Sequence, residues 1–576
     1  MYIEKIPNRN SRPAILLREG HREGRKVRKR TLANLTHWPA EKVESLRRVL
    51  RGEKLVPIGE VLVIERAKPH GHVEVILRAL RKLGLERLLG TKRSRERDLV
   101  VAMIAERLIH PCSKLASTRH WNDTTLAEEL GVADADVDEL YDALDWLLAR
   151  QRRIERKLAD RHLATDDHVL YDVTSSFYEG HTCPLAQHGH DRDGKKGLPI
   201  IVYGLMTDRA GRPVAVQVYP GNTGDPATVP DQVEKLRVRF NLSRAVLVGD
   251  RGMLTQARIR ELKKHPALGW ISALRSGSIR KLLKEGSLQA SLFDERNLAE
   301  IESPEVPGER LMACFNPDLA ERRRRKRDEL LAATERALTR IAAAVARRTR
   351  KPLTQDEIGV KVGKVIHRFK MAKHFTWTIE DGIFDWSRRE DAIREEAALD
   401  GIYVVRTSEP AARLSPEDTV RGYKNLARVE QAFRCLKGLD LRVRPIRHRT
   451  EDHVRAHIFL CVLAYYVEWY LRQAWMELLF QDEELAEARP RRDPVAPARP
   501  SASAQEKKRK RTTRAGLPVQ SWDTLLAHLA TRTRNDCRFR SPEDGKLSPI
   551  VHQTTEPTPL QARAMALLEA YPVEGS

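Results

Sequence analysis

The chain has 576 residues, of which 41% are apolar, and it carries a formal charge of +23 at pH 7. That length predicts roughly three or four domains, and the apolar share is sufficient for packed cores, which excludes a disordered scaffold. So large an excess of positive charge favours a polyanionic partner, nucleic acid above all, over a merely basic protein.

The cysteines are widely spaced, with no C-x-x-C pair, so we expect no disulfide framework and a reducing, cytoplasmic environment. Residues 1–13 lack the apolar segment of a secretory signal. The most apolar run, residues 457–471, is too short to cross a bilayer and contains Glu468. It therefore predicts a core helix.

The first part of the chain, residues 1–66, has short β-like runs that are dense in Lys and Arg, which predicts a small basic β-rich module. In residues 67–165 the apolar positions recur three and four apart, which predicts a helical domain. Such a bundle is either a helix-turn-helix reader of DNA or a packed domain with no direct DNA contact. The sequence favours neither.

The apolar period changes from helical to two at His168, which predicts a β-strand. The apolar run 245–250 is typical of a buried parallel strand. Together the patterns predict an α/β core with a mixed sheet. The predicted order is strands at residues 168–179, 198–208 and 214–219, a helix at 229–240, a strand at 245–250, a helix at 255–264 and a strand at 270–274.

A region of different character follows, with strands predicted at residues 309–316 and 363–379 on either side of a long charged helix, 317–348. The charge of that helix favours a solvated face over direct phosphate contact. Another strand is predicted at residues 401–407. Residues 487–513 are rich in Pro, Ala, Lys and Arg and predict a linker or basic tail, followed by one more helix near residues 522–531.

Residues 415–437 predict a single, well-capped helix. Within it Tyr423, Glu430 and Lys437 recur every seven residues, which puts all three on nearly the same face. Core packing does not require a carboxylate between an aromatic ring and an ammonium. We therefore predict that this face addresses a phosphodiester chain.

Two further acids lie in the predicted mixed sheet. Asp172 is in the middle of the first strand, and Asp250 ends the apolar run at the carboxyl edge, where such sheets place their sites. Taken singly, Asp172 suits an arginine partner and Asp250 suits a helix cap. Together with Glu430 they suit two Mg²⁺ or Mn²⁺ ions and an in-line phosphoryl displacement.

These motifs, taken as a set, resemble the DDE transposases of bacterial insertion sequences, whose core is RNase H-like. The resemblance covers about residues 166–475 and rests on YDVTSSFYEG, residues 191–225, VLVGDRGM and the helix 415–437. The family signature in that helix is Tyr-x2-Arg-x3-Glu-x6-Lys. This chain has Leu426 at the arginine position, which puts one phosphate contact of the family in doubt.

The resemblance implies that Asp172, Asp250 and Glu430 are the catalytic metal ligands. It implies that Lys437 contacts the DNA backbone and that Tyr423 positions a terminal nucleotide; the alternative for Tyr423 is a core aromatic. Other expected DNA contacts are Arg434, Lys195, Lys196, His188 and His190. Cys183 with the two histidines lacks a fourth zinc ligand, so no zinc site is expected.

The expected function is a transposase that binds terminal inverted repeats, hydrolyses a phosphodiester and joins the 3′-OH end to target DNA, as a homodimer in the synaptic complex. The expected location is the bacterial cytoplasm, with the nucleoid. The alternatives are a metal nuclease without strand transfer and an inactive DNA-binding derivative. The predicted domains are a basic β module (1–66), a helical domain (67–165), a catalytic core in two parts (166–275 and 414–485), an insertion domain (276–413) and a basic linker and tail (486–576).

Overall fold

The computed structural model describes residues 1–9, 11–53, 58–289, 293, 297–489, 492–541 and 544–573. They form two compact units, Met1–His70 with Arg532–Glu556, and Gly71–Thr531 with Pro557–Ser576. Within the described ranges, no helix combines the length and the apolar character needed to cross a membrane.

The elements are numbered along the chain. The strands are β1 (Tyr2–Ile6), β2 (Ala14–Glu23), β3 (Lys26–Asn34), β4 (Leu62–Pro69), β5 (His168–Phe177), β6 (Ile200–Thr207), β7 (Pro213–Pro220), β8 (Ala245–Val248), β9 (Leu268–Ala273), β10 (Leu298–Ile301), β11 (Arg310–Phe315), β12 (Phe375–Glu380), β13 (Ile383–Arg388), β14 (Ile402–Thr407), β15 (Thr533–Phe539) and β16 (Val551–Thr554). The α-helices are α1 (Ala40–Leu50), α2 (Ile58–Val61), α3 (Gly71–Lys82), α4 (Leu85–Leu89), α5 (Arg95–Ile109), α6 (Lys114–His120), α7 (Leu126–Leu130), α8 (Val137–Leu148), α9 (Gln151–His162), α10 (Val229–Glu234), α11 (Gln256–Leu262), α12 (Ser276–Lys284), α13 (Pro317–Ala346), α14 (Gln355–Phe369), α15 (Glu390–Ala397), α16 (Pro416–Lys424), α17 (Leu426–Lys437), α18 (Glu451–Ala474), α19 (Leu485–Ala488), α20 (Ala502–Lys510), α21 (Trp522–Ala530) and α22 (Pro559–Ala570).

The first unit contains two small antiparallel sheets. Strands β1, β2 and β3 form one of them, in that order. In the other, β15 lies between β16 and β4, and Arg66 pairs with Asp536. A C-terminal strand thus completes the sheet of an N-terminal one, where the sequence had predicted a tail. Pairing over so great a sequence separation leaves no local signal.

The second unit is built on an eight-stranded sheet in the order β10-β11-β14-β9-β8-β5-β6-β7. Strands β5, β6 and β7 are antiparallel neighbours, and β8 and β9 run parallel to β5. Strands β14, β11 and β10 continue the sheet antiparallel. The predicted mixed α/β class is confirmed, and the strands of the region after residue 276 extend the core sheet.

Helix α18 is the predicted core helix, and it packs against β7, α5, α8 and α17. Helix α5 is buried along most of its length. One continuous apolar core joins the helices of residues 71–163 to the sheet. Helix α5 is therefore a packing helix, with no face free to enter a DNA groove.

The helix predicted over residues 415–437 is divided at Asn425 into α16 and α17. The N–H of Asn425 donates to the carbonyls of Arg421 and Gly422, each at 3.1 Å, and the N–H of Arg428 donates to the Asn425 carbonyl at 2.8 Å. The bonds between Asn425 and Gly422 and between Arg428 and Asn425 are of the 3₁₀ type, since each joins residues three apart, and they tighten the junction. The seven-residue relation between Tyr423 and Glu430 consequently crosses a break.

Two other predictions were wrong. Residues 363–369 belong to α14, because Thr354 and Glu357 form a capping box and Ile358 and Val362 are buried one turn apart. Residues 502–510, predicted as linker, form α20. The Lys507 ammonium of α20 donates to the Met476 carbonyl at 2.9 Å. A basic side chain can be buried when its ammonium donates to a carbonyl near a helix end, so a segment rich in Lys and Arg can still form a packed helix.

Candidate active site

Asp172 and Asp250 lie side by side in the sheet because β5 and β8 are parallel neighbours. Leu170 is in register with Val248. Asp172 comes two residues after Leu170, and Asp250 comes two residues after Val248. Adjacent strands lie about 4.8 Å apart, so the two acids reach the same edge of the sheet. The apolar run of β8 buries the strand, and the chain turns directly after it at Asp250.

Helix α17 carries Glu430 and packs across β5. Burial, together with the negative charges of Asp250 and Glu430, raises the pKa of Asp172 to about 7. Burial and the same acids also raise the pKa of Tyr423 to about 12. The structure thus brings Asp172, Asp250, Glu430 and Tyr423 into one electrostatic neighbourhood, in which Glu430 is exposed.

None of the three acids forms an ion pair with a described residue. Arg192 is a cation whose charge acts on Asp172, but its guanidinium is held by both oxygens of Asp225, at 2.5 and 2.6 Å. In a chain with a formal charge of +23, converging carboxylates without a basic partner leave a local excess of negative charge. A bound divalent cation compensates such an excess.

Hydrogen bonds hold one oxygen of each strand acid. The N–H groups of Gly252 and Met253 donate to Oδ1 of Asp250 at 2.9 and 2.7 Å, and the Val173 N–H donates to Oδ1 of Asp172 at 2.8 Å. Asp250 therefore caps the turn after β8 and not the following helix, whose N-cap position is Thr255. Among the described residues nothing donates to Oδ2 of either acid, so both retain an oxygen for a metal.

The acids are spread more widely than the ligands of a single ion. Groups of three ligand atoms that all lie within 4.8 Å of one another occur elsewhere among the described residues, but the three acids do not form one. A two-ion site fits this spacing better than one ion, because different carboxylates then serve different ions. The donor set consists of oxygens, which suits Mg²⁺ or Mn²⁺.

Lys437 lies beside the acids but is already paired. Its ammonium donates to Oγ1 of Thr174 at 2.9 Å and lies 2.7 Å from Oδ1 of Asp193. Arg444 pairs with the same carboxylate oxygen. Thr174 follows Asp172 by two residues and faces the same side of β5. Burial lowers the pKa of Lys437.

Sequence reasoning missed Asp193 and Arg444. The Asp193 side chain is only 1% exposed, and its Oδ2 also accepts the Phe177 N–H at 3.2 Å. This buried acid fixes both Lys437 and the loop after β5. In the sequence Asp193 is one acid in a Gly-rich polar loop, and no periodic pattern marks it.

The remaining predicted DNA contacts lie on the surface and are not drawn into the acid cluster. The exposed ones are Arg434, Lys195, Lys196, His188 and His190. The Lys195 ammonium lies 5.7 Å from the centre of the Phe177 ring. Cys183 is buried, and it forms no metal-ligand group with the histidines within the described ranges.

Leu426, at the arginine position of the signature, is 8% exposed and belongs to the main apolar core. The nearby Arg428 guanidinium donates to the Arg209 carbonyl at 2.6 Å. Neither residue is available to a phosphate at this position. The position therefore serves packing in this chain.

An acid cluster of this kind, in a mixed sheet of a strongly basic chain, defines a class of metal-dependent enzyme that acts on phosphodiesters. A family model described as "Transposase DDE domain" matches residues 164–467, more than half of the sequence, and the chain belongs to that family. A second model, "IS1634 family transposase, N-terminal domain", matches residues 3–56. The protein is a transposase, and its family depends on divalent metal.

No curated protein matches this chain. Among solved structures, the piggyBac transposase synaptic complex with hairpin DNA, determined by cryo-EM, gives a TM-score of 0.30 at 10% identity. That similarity covers 79% of this chain and 77% of the other. A TM-score this low supports no conclusion about the arrangement of this chain.

Proposed function

We propose that Asp172, Asp250 and Glu430 hold two Mg²⁺ ions, with Mn²⁺ as a substitute, and that they form the catalytic centre for DNA cleavage and strand transfer. The supporting observation is the convergence of three carboxylates without a basic partner. When bound, the ions supply the polarisation that activates a water or a 3′-hydroxyl and stabilises the leaving oxygen.

The side chains around the acids have separate roles in this proposal. Asp172 gives up its proton before it binds a cation, because its pKa is near 7. Lys437, held by Thr174 and Asp193, presents a fixed positive charge to the phosphate next to the scissile bond. Tyr423 orients the terminal nucleotide. Arg434, Lys195 and Lys196 contact the DNA backbone farther out.

We also propose an RNase H-like core. Its strands are β7-β6-β5-β8-β9, with the first three antiparallel and the others parallel to β5. In this proposal residues 276–413 are an insertion between the two parts of the core, 166–275 and 414–485. The other proposed boundaries remain 1–66 and 67–165, and residues 486–576 form a C-terminal segment of which Arg532–Glu556 joins the first unit. Because transposition brings two ends together, we propose a homodimer in the synaptic complex.

Strand transfer separates this proposal from a nuclease of the same fold. The purified protein, Mg²⁺, a labelled precleaved element end and a supercoiled target plasmid are incubated together. The proposal expects covalent joining of the labelled 3′ end to the plasmid. Nicking of DNA without any joined product, under conditions in which the end is bound, would establish the nuclease instead.

A further inference from the structure

A cavity of about 270 Å³ lies at the junction of the helices of residues 95–148 with the segment that follows α17. Its lining is strongly basic, and none of the lining residues is acidic. The residues that matter here are Arg107, Lys114, Arg442, Arg444, His448 and His457. None of them belongs to the three proposed metal ligands.

Lys114 is the most unusual group in this cavity. It is only 4% exposed, and among the described residues its ammonium has neither a hydrogen-bond acceptor nor an acidic partner. Burial and the neighbouring Arg107 lower its pKa to about 7. A buried cation without a counter-charge costs stability. The apolar core gains nothing from it, so a ligand is its simplest explanation.

The two histidines add neutral rings to the cationic wall. Burial lowers the pKa of His448 to about 3 and holds that of His457 far below its usual range. One ring nitrogen of His457 contacts the Val443 carbonyl at 3.1 Å, while its Nδ1 is buried without a hydrogen-bond partner. Because the Nε2–H of this neutral ring donates to the carbonyl, Nδ1 is an acceptor, and a water bound beside the ligand would satisfy it.

The cavity is physically connected to the proposed catalytic centre. Arg444 lines the cavity and also pairs with Asp193, the acid that holds Lys437. Two residues farther along, the carbonyl of Ile446 accepts the N–H of Glu179, just after the end of β5, at 2.9 Å. Arg444 therefore links the cavity to Lys437 through the carboxylate of Asp193.

We propose that this cavity is a binding pocket for a phosphate group, and that the group is a backbone phosphate of the DNA, a few nucleotides from the scissile bond. Guanidinium forks and a buried ammonium suit the oxygens of a phosphodiester. The size suits a phosphate with its ester arms better than a drug-sized ligand, which needs about 300–1,000 Å³. The proposal rests on the chain being a transposase but not on the assignment of the three acids.

The test is a scan of the phosphates of the DNA backbone in metal-free buffer, so that no DNA is cleaved during the measurement. A duplex of the element's own end is made with a neutral methylphosphonate at one position at a time, and binding is followed by fluorescence anisotropy. The variants are Lys114→Met, Arg442→Gln at the exposed mouth of the cavity, and Lys326→Met on the exposed surface of α13 as the matched control. Melting temperatures are recorded for each.

Wild-type protein and the control should lose about tenfold in affinity at one or two methylphosphonate positions, or about 1.4 kcal/mol. Lys114→Met should bind the unmodified duplex about tenfold more weakly, lose the sensitivity at those positions, and melt no lower than wild type. Arg442→Gln should reduce the same sensitivity in part. This non-additivity is what a direct contact produces.

Several results would overturn the proposal. Lys114→Met might bind the unmodified duplex as wild type does, or keep every sensitive position. Should Lys114→Met melt well below wild type, Arg442→Gln decides, and an unchanged scan for that variant refutes the pocket. A free-phosphate site would appear as stabilisation of wild type by inorganic phosphate that Lys114→Met abolishes, with all scans unchanged.

Discussion

The strongest quantitative prediction concerns the cost of the charge on Asp172. Its carboxyl has a pKa of about 7 against an ordinary value of 3.8, so between these values the folded protein holds a proton that the unfolded chain releases. Stability without metal therefore falls as pH rises through this window. The replacement Asp172→Asn removes the titration and retains an oxygen for the Val173 N–H.

A shift of about three pKa units, at 1.36 kcal/mol per unit, sets a ceiling of about 4 kcal/mol for the gain in Asp172→Asn at pH 8. Across 576 residues, at about 2.1 cal/mol/K of unfolding entropy per residue, that gain corresponds to a rise in melting temperature of roughly 3 °C. Below about pH 4 both proteins carry a neutral group at this position, and the difference should disappear. Thermal unfolding followed by circular dichroism between pH 4 and 8, in the presence of EDTA, measures it.

Metal should reverse the order of stability of wild type and Asp172→Asn. Millimolar Mg²⁺ at pH 8 should stabilise wild type by mass action, whereas Asp172→Asn should hardly respond. The matched control is Asp193→Asn, because the Asp193 side chain is also buried but pairs with Lys437 and Arg444. That variant should be destabilised, since two cations lose their shared acid. An Asp172→Asn protein that is less stable than wild type at pH 8 in EDTA, or one that Mg²⁺ stabilises as much as wild type, would refute the reasoning.

Three further predictions concern the surrounding structure. Lys437→Met should lower the slope of log affinity against log salt for duplex DNA by about 0.9, because one phosphate contact is lost; an unchanged slope would remove Lys437 from the DNA interface. Leu426→Arg restores the family signature at a position that is 8% exposed, so it should destabilise by about 3–5 kcal/mol in urea unfolding without a gain in strand transfer; a stable and more active variant would contradict the packing role. Deletion of residues 557–576 removes α22, whose Ala564 carbonyl accepts the Trp475 indole N–H at 2.9 Å, and should lower the melting temperature by several degrees; an unaffected melting curve would show that α22 contributes nothing.

The strand acids were predictable because local patterns position them. A period of two around Asp172 and an apolar run before Asp250 predict neighbouring strands, and the register of β5 and β8 bears this out. The N-cap of α16 at Ser415 is another local signal that the structure confirms, with Oγ accepting the Asp418 N–H at 3.0 Å.

Features that depend on distant partners were not predictable. The break at Asn425 follows Gly422 and Tyr423, which are weak helix formers, but propensity alone does not distinguish a break from a continuous helix. Asp193 acquires its role only when α17 brings Lys437 to it. Similarly, β15 pairs with β4 although the two strands lie near opposite ends of the sequence. Tertiary contacts between distant segments determine such features, and local patterns in a single sequence do not show which segments meet.

The most direct test of the proposed centre is cleavage and strand transfer by Glu430→Gln. Glu430 is exposed on α17, so the replacement should leave folding and end binding unchanged. We expect the rate of strand transfer in Mg²⁺ to fall by at least about a hundredfold, since even outer-shell partners of metal ligands cost 10–100-fold. The neighbouring exposed replacement Gln431→Ala should retain activity. Full strand transfer by Glu430→Gln would contradict the three-acid centre.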